Sequence, residues 1–263
     1  MSLAGGALVV VRGAGDLATG CLVRLVRSGF RVVALETARP SAIRRTVSLA
    51  EAVYDGEATV EGVRAFRCEA VPASWGPCDV PLLVDPEARA VGRLAPLALV
   101  DAIVAKRNLG TRADMAPVVV GLGPGFTAGT DVHAVVETNR GHDLGRVIRA
   151  GSAEPNTGIP GVIAGQGPGR VLHAPVAGAA TLVAAIGDTV EPGTPLLSIG
   201  EAVVRAAIGG VVRGLIRPGL AVPAGLKVAD VDPRGARESC FAISDKSRAV
   251  AGGVLEAILA LAP

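Results

Sequence analysis

Residues 8–36 constrain the fold more than any other part of the chain. An apolar run (8–11) precedes a glycine-rich turn (13–15), and then come apolar residues at helical spacing and a second apolar run (31–36). A strand, a tight turn, a helix and a second strand in this order form a β-α-β unit. We therefore expect an α/β protein with a Rossmann-like N-terminal domain, in which such turns commonly hold phosphate groups.

The turn fits the glycine fingerprint of dinucleotide-binding proteins only in part. Gly13, Gly15 and Ala18 match G-x-G-x-x-G/A. Glu36 follows the glycine motif by about 20 residues, which is the separation at which a carboxylate binds ribose hydroxyls in such proteins. Asp16 does not fit a dinucleotide site, because a carboxylate beside the turn repels phosphate unless a metal or a basic group compensates. An aspartate at this position also suits a helix N-cap. The turn is thus a candidate nucleotide site, with a purely structural turn as the alternative.

Basic and polar residues in two later segments are candidate ligand donors. Arg44 and Arg45 lie in a segment (41–54) whose spacing predicts an amphipathic helix. Their guanidinium groups suit an anion clamp, since they pair bidentately with phosphate or carboxylate, and a solvated helix face is the alternative. Lys106 and Asn108 follow an apolar run, and we expect them to supply donors from a loop.

A second glycine-rich region carries the candidate catalytic residues. A predicted buried strand leads into a loop that contains Gly123 and Gly125. Asp131, His133 and Glu137 then occupy alternating positions, which places them on one face of a strand. An Asp, a His and a Glu on one face suit proton transfer or metal binding, and a half-exposed strand with outward polar groups is the alternative.

An internal repeat predicts a separate β domain. Within residues 170–232 the glycines and valines recur at a fixed offset, as Gly178 does at Gly210. One copy alone cannot bury its apolar face, so the two copies predict a small pseudo-symmetric β barrel. The first copy resembles the biotinyl/lipoyl barrel-sandwich family, which carries its prosthetic group on a lysine in the hairpin between the copies. Residues 198–210 contain no lysine, so we expect that fold without the carrier function.

Composition argues against two classes of partner. The net charge is only +2 and aromatic residues make up 2% of the chain, so nucleic acid is not an expected partner. No uninterrupted apolar stretch reaches the roughly 18 residues of a membrane helix. The first residues also lack the basic region and spaced cleavage site of a signal peptide. We therefore expect a cytoplasmic protein with no membrane partner.

The cysteines predict no metal site. They are scattered through the chain without a C-x-x-C pair, as Cys21, Cys68, Cys78 and Cys240. Reduced and mostly buried thiols are therefore expected.

The predicted domains are a ligand-binding domain (1–165), a β domain (166–235) and a C-terminal segment (236–263). Ser244 or Asp245 is expected to cap a final helix that glycines interrupt and whose apolar face packs back on the first domain.

Several motifs together resemble one family. They are RGAGDLATG, RRTVSLAEAVYDGEATVEGV, DAIVAKRNLGT, GLGPGFTAGTDVHAVVETNRGHDLG, NTGIPG and ISDKSRAVAGGVLEA, and they span essentially the whole chain. In them the sequence is similar to the YqeB-like (EF-type) proteins of the selenium-dependent molybdenum hydroxylase system. The resemblance implies a cytoplasmic accessory protein in molybdenum cofactor biosynthesis, with a molybdenum hydroxylase and XdhC-like maturation factors as partners. It assigns no reaction, so whether the chain is an enzyme stays open.

These observations together predict a phosphate-bearing ligand, either a nucleotide or a molybdopterin-type cofactor. We expect it between the first turn (13–16) and the second glycine-rich loop (121–126), with Arg44, Arg45 and Lys106 meeting its anionic groups. An NAD(P)-dependent oxidoreductase is one alternative, based on the fingerprint. A non-catalytic partner or scaffold, including a homo-oligomer contact, is the other, based on the unmodified barrel.

Overall fold

The structure is a computed structural model that describes residues 6–158 and 161–263, and it divides into two units. Unit 1 comprises the described residues up to Pro40 together with Ser48–Asn156 and Ile243–Pro263, and unit 2 comprises Ser41–Val47 and the described part of Thr157–Ala242. The predicted boundaries differ from this division, because 41–47, 236–242 and the described residues of 157–165 belong to unit 2. Two residues of the NTGIPG motif, Ile159 and Pro160, lie outside the described residues.

Unit 1 is built on a nine-stranded sheet in the order β3-β4-β5-β2-β1-β6-β7-β8-β9. Its strands are β1 (Leu8–Arg12), β2 (Arg31–Glu36), β3 (Glu57–Val60), β4 (Val63–Arg67), β5 (Asp79–Val84), β6 (Ala98–Asp101), β7 (Val118–Leu122), β8 (Ala134–Val136) and β9 (Val147–Ile148). The seven central strands β4, β5, β2, β1, β6, β7 and β8 run parallel to one another. The two edge strands, β3 and β9, are antiparallel to their neighbours. The central parallel strands β1, β2, β6 and β7 are nearly continuous runs of buried Val, Leu and Ala, as expected for a sheet covered on both faces.

The order of the strands creates a topological switch point. β1 lies between β2 and β6, so the chain leaves β1 toward one edge of the sheet and later returns on its other side. Ligands of open parallel sheets bind beyond the carboxyl ends of the strands at such a point. The segments that follow β1, β6, β7 and β8 all emerge at this edge.

In the described residues, four α-helices accompany the sheet: α1 (Asp16–Arg27), α2 (Ala52–Asp55), α3 (Val91–Leu94) and α4 (Asp245–Leu261). α1 packs on β1 and β2, α4 packs on β7, β8 and β9, and the two helices pack on each other. α4 runs without interruption through its glycines, where Gly253 lets the helix lie against the backbone of Gly145. None of the helices in the described residues is long and apolar enough to cross a membrane.

The helix predicted over 41–54 is wrong. This segment contains two short 3-10 turns (Arg45–Val47 and Leu49–Glu51) followed by α2. It crosses from unit 2 to unit 1, and its side chains bond to different backbone groups within each unit. Tertiary bonds therefore override the amphipathic pattern.

Unit 2 contains two four-stranded antiparallel sheets, in the orders β10-β17-β15-β12 and β14-β13-β11-β16. The strands are β10 (Val171–His173), β11 (Gly178–Leu182), β12 (Thr189–Val190), β13 (Pro195–Ile199), β14 (Ala202–Arg205), β15 (Gly210–Leu215), β16 (Ala221–Val222) and β17 (Lys227–Asp232). The predicted repeat is confirmed, because β10 to β13 recur as β14 to β17 and each sheet maps onto the other. Both sheets share one apolar core.

Candidate anion-binding site

The turn after β1 is held rigidly by bonds within unit 1. Gly13 has a φ of +106°, and a Cβ on it would lie 3.0 Å from the carbonyl carbon of Ala102 at the end of β6. The carbonyl oxygen of Ala14 accepts hydrogen bonds from the hydroxyls of Thr19 (3.0 Å) and Ser48 (3.2 Å). Glycine is therefore required at this position by close approach to the backbone as well as by its left-handed conformation.

Glu36 holds the turn, which differs from the role predicted for it. One carboxylate oxygen accepts from the N–H of Ala14 at 2.8 Å, and the other accepts from the N–H of Thr37 at 2.7 Å. Burial raises the pKa of Glu36, and these two hydrogen bonds offset part of that effect. The carboxylate fixes the backbone of the turn, and both of its oxygens already have donors that a ribose would have to share.

The helix that follows presents an open N-terminus. Gly15 is the N-cap residue of α1, and Asp16 is the first helical residue, so the predicted capping role of Asp16 is wrong. A Cβ on Gly15 would meet no heavy atom within 4 Å. The first N–H groups of a helix have no acceptor within the helix, and together with the helix dipole they attract anions.

A lysine that the sequence analysis did not identify lies in this region. Burial lowers the pKa of Lys246, on the first turn of α4, to about 8. The positive charges of Lys106 and Arg140 lower it further, while Asp16 and Glu137 act in the opposite direction. Because each of these four charges acts on Lys246, all five groups lie in one neighbourhood at the carboxyl edge of the sheet.

Lys106 is the second cation of this neighbourhood, and the structure places it as the sequence predicted, on the loop after β6. Partial desolvation lowers its pKa, and the charge of Glu137 opposes that shift. Val104 and Lys106 both have left-handed backbones, with φ of +58° and +64°. In the described part of the chain, neither Lys106 nor Lys246 makes a hydrogen bond or an ion pair through its ammonium group. Two desolvated ammonium groups without such a partner favour an anion.

The first turn of α4 lies directly beside that of α1. The hydroxyl of Ser247 donates to the carbonyl of Asp16 at 2.9 Å, and Ser244 caps α4 by accepting from the N–H of Ser247. Arg140 forms a bidentate ion pair with Asp245 at 2.8 and 3.1 Å. The N-termini of two helices therefore meet at this site.

Glu137 is buried and bonded to backbone. Its carboxylate accepts from the N–H groups of Thr138, Asn139 and Glu154, each at 2.7 Å. The residue is only 2% exposed. Glu137 therefore fixes the segment after β8 and contributes a negative charge facing the lysines.

The predicted common face of Asp131, His133 and Glu137 is wrong. β8 contains only Ala134–Val136, so the three residues lie outside the strand. Asp131 accepts from the N–H of Thr127 at 2.8 Å, and Nδ1 of His133 accepts from the N–H of Val119 at 2.9 Å. Each side chain stabilises a different stretch of backbone, which argues against a catalytic triad.

No group of three or more possible metal ligands occurs among the residues that the structure describes. The four cysteines are free thiols, of which Cys21 and Cys240 are buried, and burial raises the pKa of Cys21 to about 12. A thiol in this environment stays protonated and unreactive.

Arg44 and Arg45 are structural residues of unit 2, which corrects their prediction as an anion clamp. Arg44 is buried and donates to the carbonyls of Ser239 (3.2 Å) and Ala242 (3.1 Å). Arg45 donates to the carbonyl of Leu215 at 2.8 Å. These bonds hold segment 41–47 in its unit.

Asn108 also has a structural role. Its side-chain oxygen accepts from the N–H groups of Gly110 (2.9 Å) and Thr111 (2.8 Å), and its amide donates to the carbonyl of Thr111 (2.8 Å). It therefore shapes its own loop.

The glycines of the second loop are explained by packing. A Cβ on Gly123 would clash with the hydroxyl of Thr138, and one on Gly125 would lie 2.6 Å from the backbone nitrogen of Arg107. Both positions have positive φ. This loop therefore packs against the loop that carries Lys106, and its glycines are not shown to bind a ligand.

A buried ion pair missed by the sequence analysis orders the loop after β6. Arg12 lies 3.3 Å from Asp101 and donates to the hydroxyl of Thr111 at 2.9 Å, and this hydroxyl donates to Asp101 at 2.6 Å. Arg12 also bonds to the carbonyls of Pro86 and Leu109. Because every charged group here has partners, the network is suited to hold the ends of β1 and β6 in register.

No family model matches the chain. The chain is 51% identical over 257 residues to the uncharacterized protein YqeB of Escherichia coli K12, covering 97% of this chain and 48% of that protein. The chain thus spans about half the length of the curated relative it matches.

Among solved structures, the product-bound ectoine utilization protein EutE (DoeB) of Ruegeria pomeroyi is 12% identical with a TM-score of 0.26, over 86% of this chain and 85% of that one. An aspartoacylase family protein of Mesorhizobium loti is 15% identical with a TM-score of 0.26, over 86% and 84% of the two chains. TM-scores this low do not indicate a shared fold.

Proposed function

We propose that unit 1 binds a small phosphate-bearing ligand at the carboxyl edge of its sheet. The observation that carries this proposal is the pair of ammonium groups on Lys106 and Lys246, both partly desolvated and neither bonded to a carboxylate in the described chain. They lie beside two helix N-termini at the switch point of a parallel sheet. An anion at this point satisfies both lysines and the first N–H groups of α1.

Lys246 also answers the objection that Asp16 raises. A carboxylate next to the turn repels phosphate unless a basic group compensates, and the charge of Asp16 acts directly on Lys246. The positive charges of Lys246 and Lys106 therefore offset the repulsion that Asp16 exerts on a phosphate group. A nicotinamide dinucleotide is less well supported, because Glu36 is already bonded to the turn through both oxygens.

In the wider context, we propose an accessory role in the maturation of a molybdenum hydroxylase, with a nucleotide or a molybdopterin-type cofactor as the ligand. The sequence motifs shared with the selenium-dependent molybdenum hydroxylase system support this role. In the terms of known folds, unit 1 is Rossmann-like and unit 2 is a barrel-sandwich hybrid. The hairpin between β13 and β14 turns at Gly200 and Glu201, so unit 2 serves as a platform without a lysine-linked group.

Isothermal titration calorimetry of the full chain with nucleotides, NADH, NADPH, molybdate and molybdopterin tests the ligand. We expect binding to one phosphate-bearing compound and a loss of about tenfold or more in affinity for Lys106→Gln and for Lys246→Gln. Lys227→Gln is the matched control, because Lys227 is exposed and lies in unit 2. Binding that is unchanged in both site variants, or no binding to any compound, contradicts the proposal.

The maturation role has a separate test. In a strain that lacks this chain, we expect the molybdenum hydroxylase to be made with less molybdenum cofactor, and the wild-type chain to restore it. Lys246→Gln should restore it poorly and Lys227→Gln fully. A hydroxylase that is fully loaded without the chain rules out this role and leaves the ligand site to be judged by calorimetry.

A further inference from the structure

A second group of cations lies along α1, beyond its N-terminal turn. A groove of 340 Å³ is lined there by Gly20, Arg24, Arg27, Ser28, Ile243 and Arg248, all in unit 1. Its volume lies within the range of about 300–1,000 Å³ that is typical of small-ligand sites. None of these residues belongs to the site at the edge of the sheet.

The arginines of this groove are only partly neutralised. Glu61, at the tip of the hairpin between β3 and β4, lies 2.6 Å from Arg248 and 3.4 Å from Arg27. The same carboxylate accepts from the N–H of Ile243 at 3.0 Å. One carboxylate therefore faces three guanidinium groups, so the groove has an excess of positive charge.

Arg24 has the weakest engagement of the three. Its hydrogen bond is a long one, 3.5 Å, to the carbonyl of Arg248. No carboxylate lies within salt-bridge distance of it in the part of the chain that the structure describes. Its guanidinium keeps donors for a further acceptor.

The helix dipole explains only part of this arrangement. Arg24 and Arg27 lie in the last turn of α1, where cations offset the negative end of the helix. That role needs neither a groove nor a third arginine from a different helix. Arg248 comes from α4 and also lines the groove.

We propose that this groove is a second anion site, which binds a phosphate group of a small phosphorylated ligand. Guanidinium forks match the geometry of phosphate oxygens and pair with them bidentately. A phosphate dianion balances the excess charge of the three arginines over Glu61. The bound phosphate takes donors from Arg24 and Arg248 and competes with Glu61 for the latter.

The test is a titration of the full chain with pyrophosphate at low ionic strength. Calorimetry measures the affinity, and amide chemical shifts report which residues are affected. We expect Gly20 and Ser28 to shift as this site fills, and affinity to fall about tenfold in Arg24→Gln. Glu61→Gln should bind pyrophosphate more tightly, because it removes the competing charge while its amide oxygen still accepts from Ile243. Arg89→Gln is the control, since Arg89 is an exposed arginine that pairs with Glu87 elsewhere in unit 1.

The opposite changes in pyrophosphate affinity that are expected for Arg24→Gln and Glu61→Gln distinguish a binding site from a set of surface ion pairs. Ion pairs alone predict that Arg24→Gln and Glu61→Gln both leave pyrophosphate binding unchanged, and that result overturns the proposal. So does a wild-type chain that binds no pyrophosphate. Gly15→Asp distinguishes this site from the first: retained shifts at Gly20 and Ser28 support the groove, and their loss shows that the anion occupies only the edge of the sheet.

Discussion

The two glycine-rich turns of unit 1 look alike in sequence and differ in structure. Beside Gly15 there is open space, whereas Gly123 and Gly125 press against neighbouring atoms. In the first turn Gly13 packs against the backbone of Ala102, but Gly15 leaves room above a helix N-terminus. In the second, glycines let one loop approach another.

This difference changes which elements border the proposed site. The loop that contains Gly123 and Gly125 supports the backbone next to Lys106, because Gly125 contacts Arg107. The first turn of α4 instead brings Lys246 and Ser247 beside Asp16. A glycine in the sequence can leave room for a ligand or can let two backbones pack closely. The atoms that a Cβ would meet at that position show which of the two applies.

The largest effect is expected at Gly125. Gly125→Ala places a Cβ against the Arg107 backbone at a φ of +111°, and we expect the free energy of unfolding to fall by about 3 kcal/mol or more. Gly129→Ala is a matched control, because Gly129 also has a positive φ, +83°, and no atom within 4 Å. It should lose only about 1 kcal/mol in urea unfolding. Equal losses at the two positions contradict the packing role.

The next effect concerns ligand affinity at Gly15. Gly15→Asp should fold like the wild type, since Asp is a favoured N-cap residue and the space is open. Its charge should weaken binding of the phosphate-bearing ligand by at least about tenfold. Gly15→Asn has the same size without the charge and should lose much less. Calorimetry together with thermal unfolding separates the two variants, and wild-type affinity in Gly15→Asp places the ligand elsewhere.

Much of the fold follows from local pattern. The β-α-β unit and the repeat between β11 and β15 are both encoded within short windows and are found as predicted. The segment 41–54 is not, because its conformation depends on partners such as Leu215 that are distant in the sequence.

The site was less predictable than the fold, because its residues also depend on partners that are distant in the sequence. Lys106 follows a strand and was identified, whereas Lys246 reaches the same neighbourhood only because α4 packs on α1. Lys246 lies in the motif ISDKSRAVAGGVLEA, but this motif does not indicate that its side chain faces Lys106 and Asp16. Arg44 has the residue type of an anion clamp, but its guanidinium is bonded to buried backbone carbonyls, and only tertiary structure reveals that.

Lys246 makes binding at the first turn depend on pH. Its pKa is lowered to about 8 in the free protein, and a bound anion favours the charged form and raises this pKa. Affinity should therefore be constant below pH 7 and decrease as pH rises through 8, by about five- to tenfold at pH 9. Lys246→Arg stays charged and should flatten the profile between pH 7 and 9. A wild-type profile that is flat over this range argues against Lys246 as a ligand-binding group.

The smallest effect tests whether α4 really borders the first turn. Ser247→Ala removes the hydrogen bond from a fully buried hydroxyl to the carbonyl of Asp16. We expect a loss of about 1 kcal/mol in the free energy of unfolding and about a twofold loss of ligand affinity, because Lys246 is then held less firmly. Ser152→Ala, which removes an exposed hydrogen bond to Thr127, should change neither quantity measurably. If Ser247→Ala lowers stability without any change in affinity, the position of α4 matters for folding but not for binding, and the site is then bordered by the first turn and Lys106 alone.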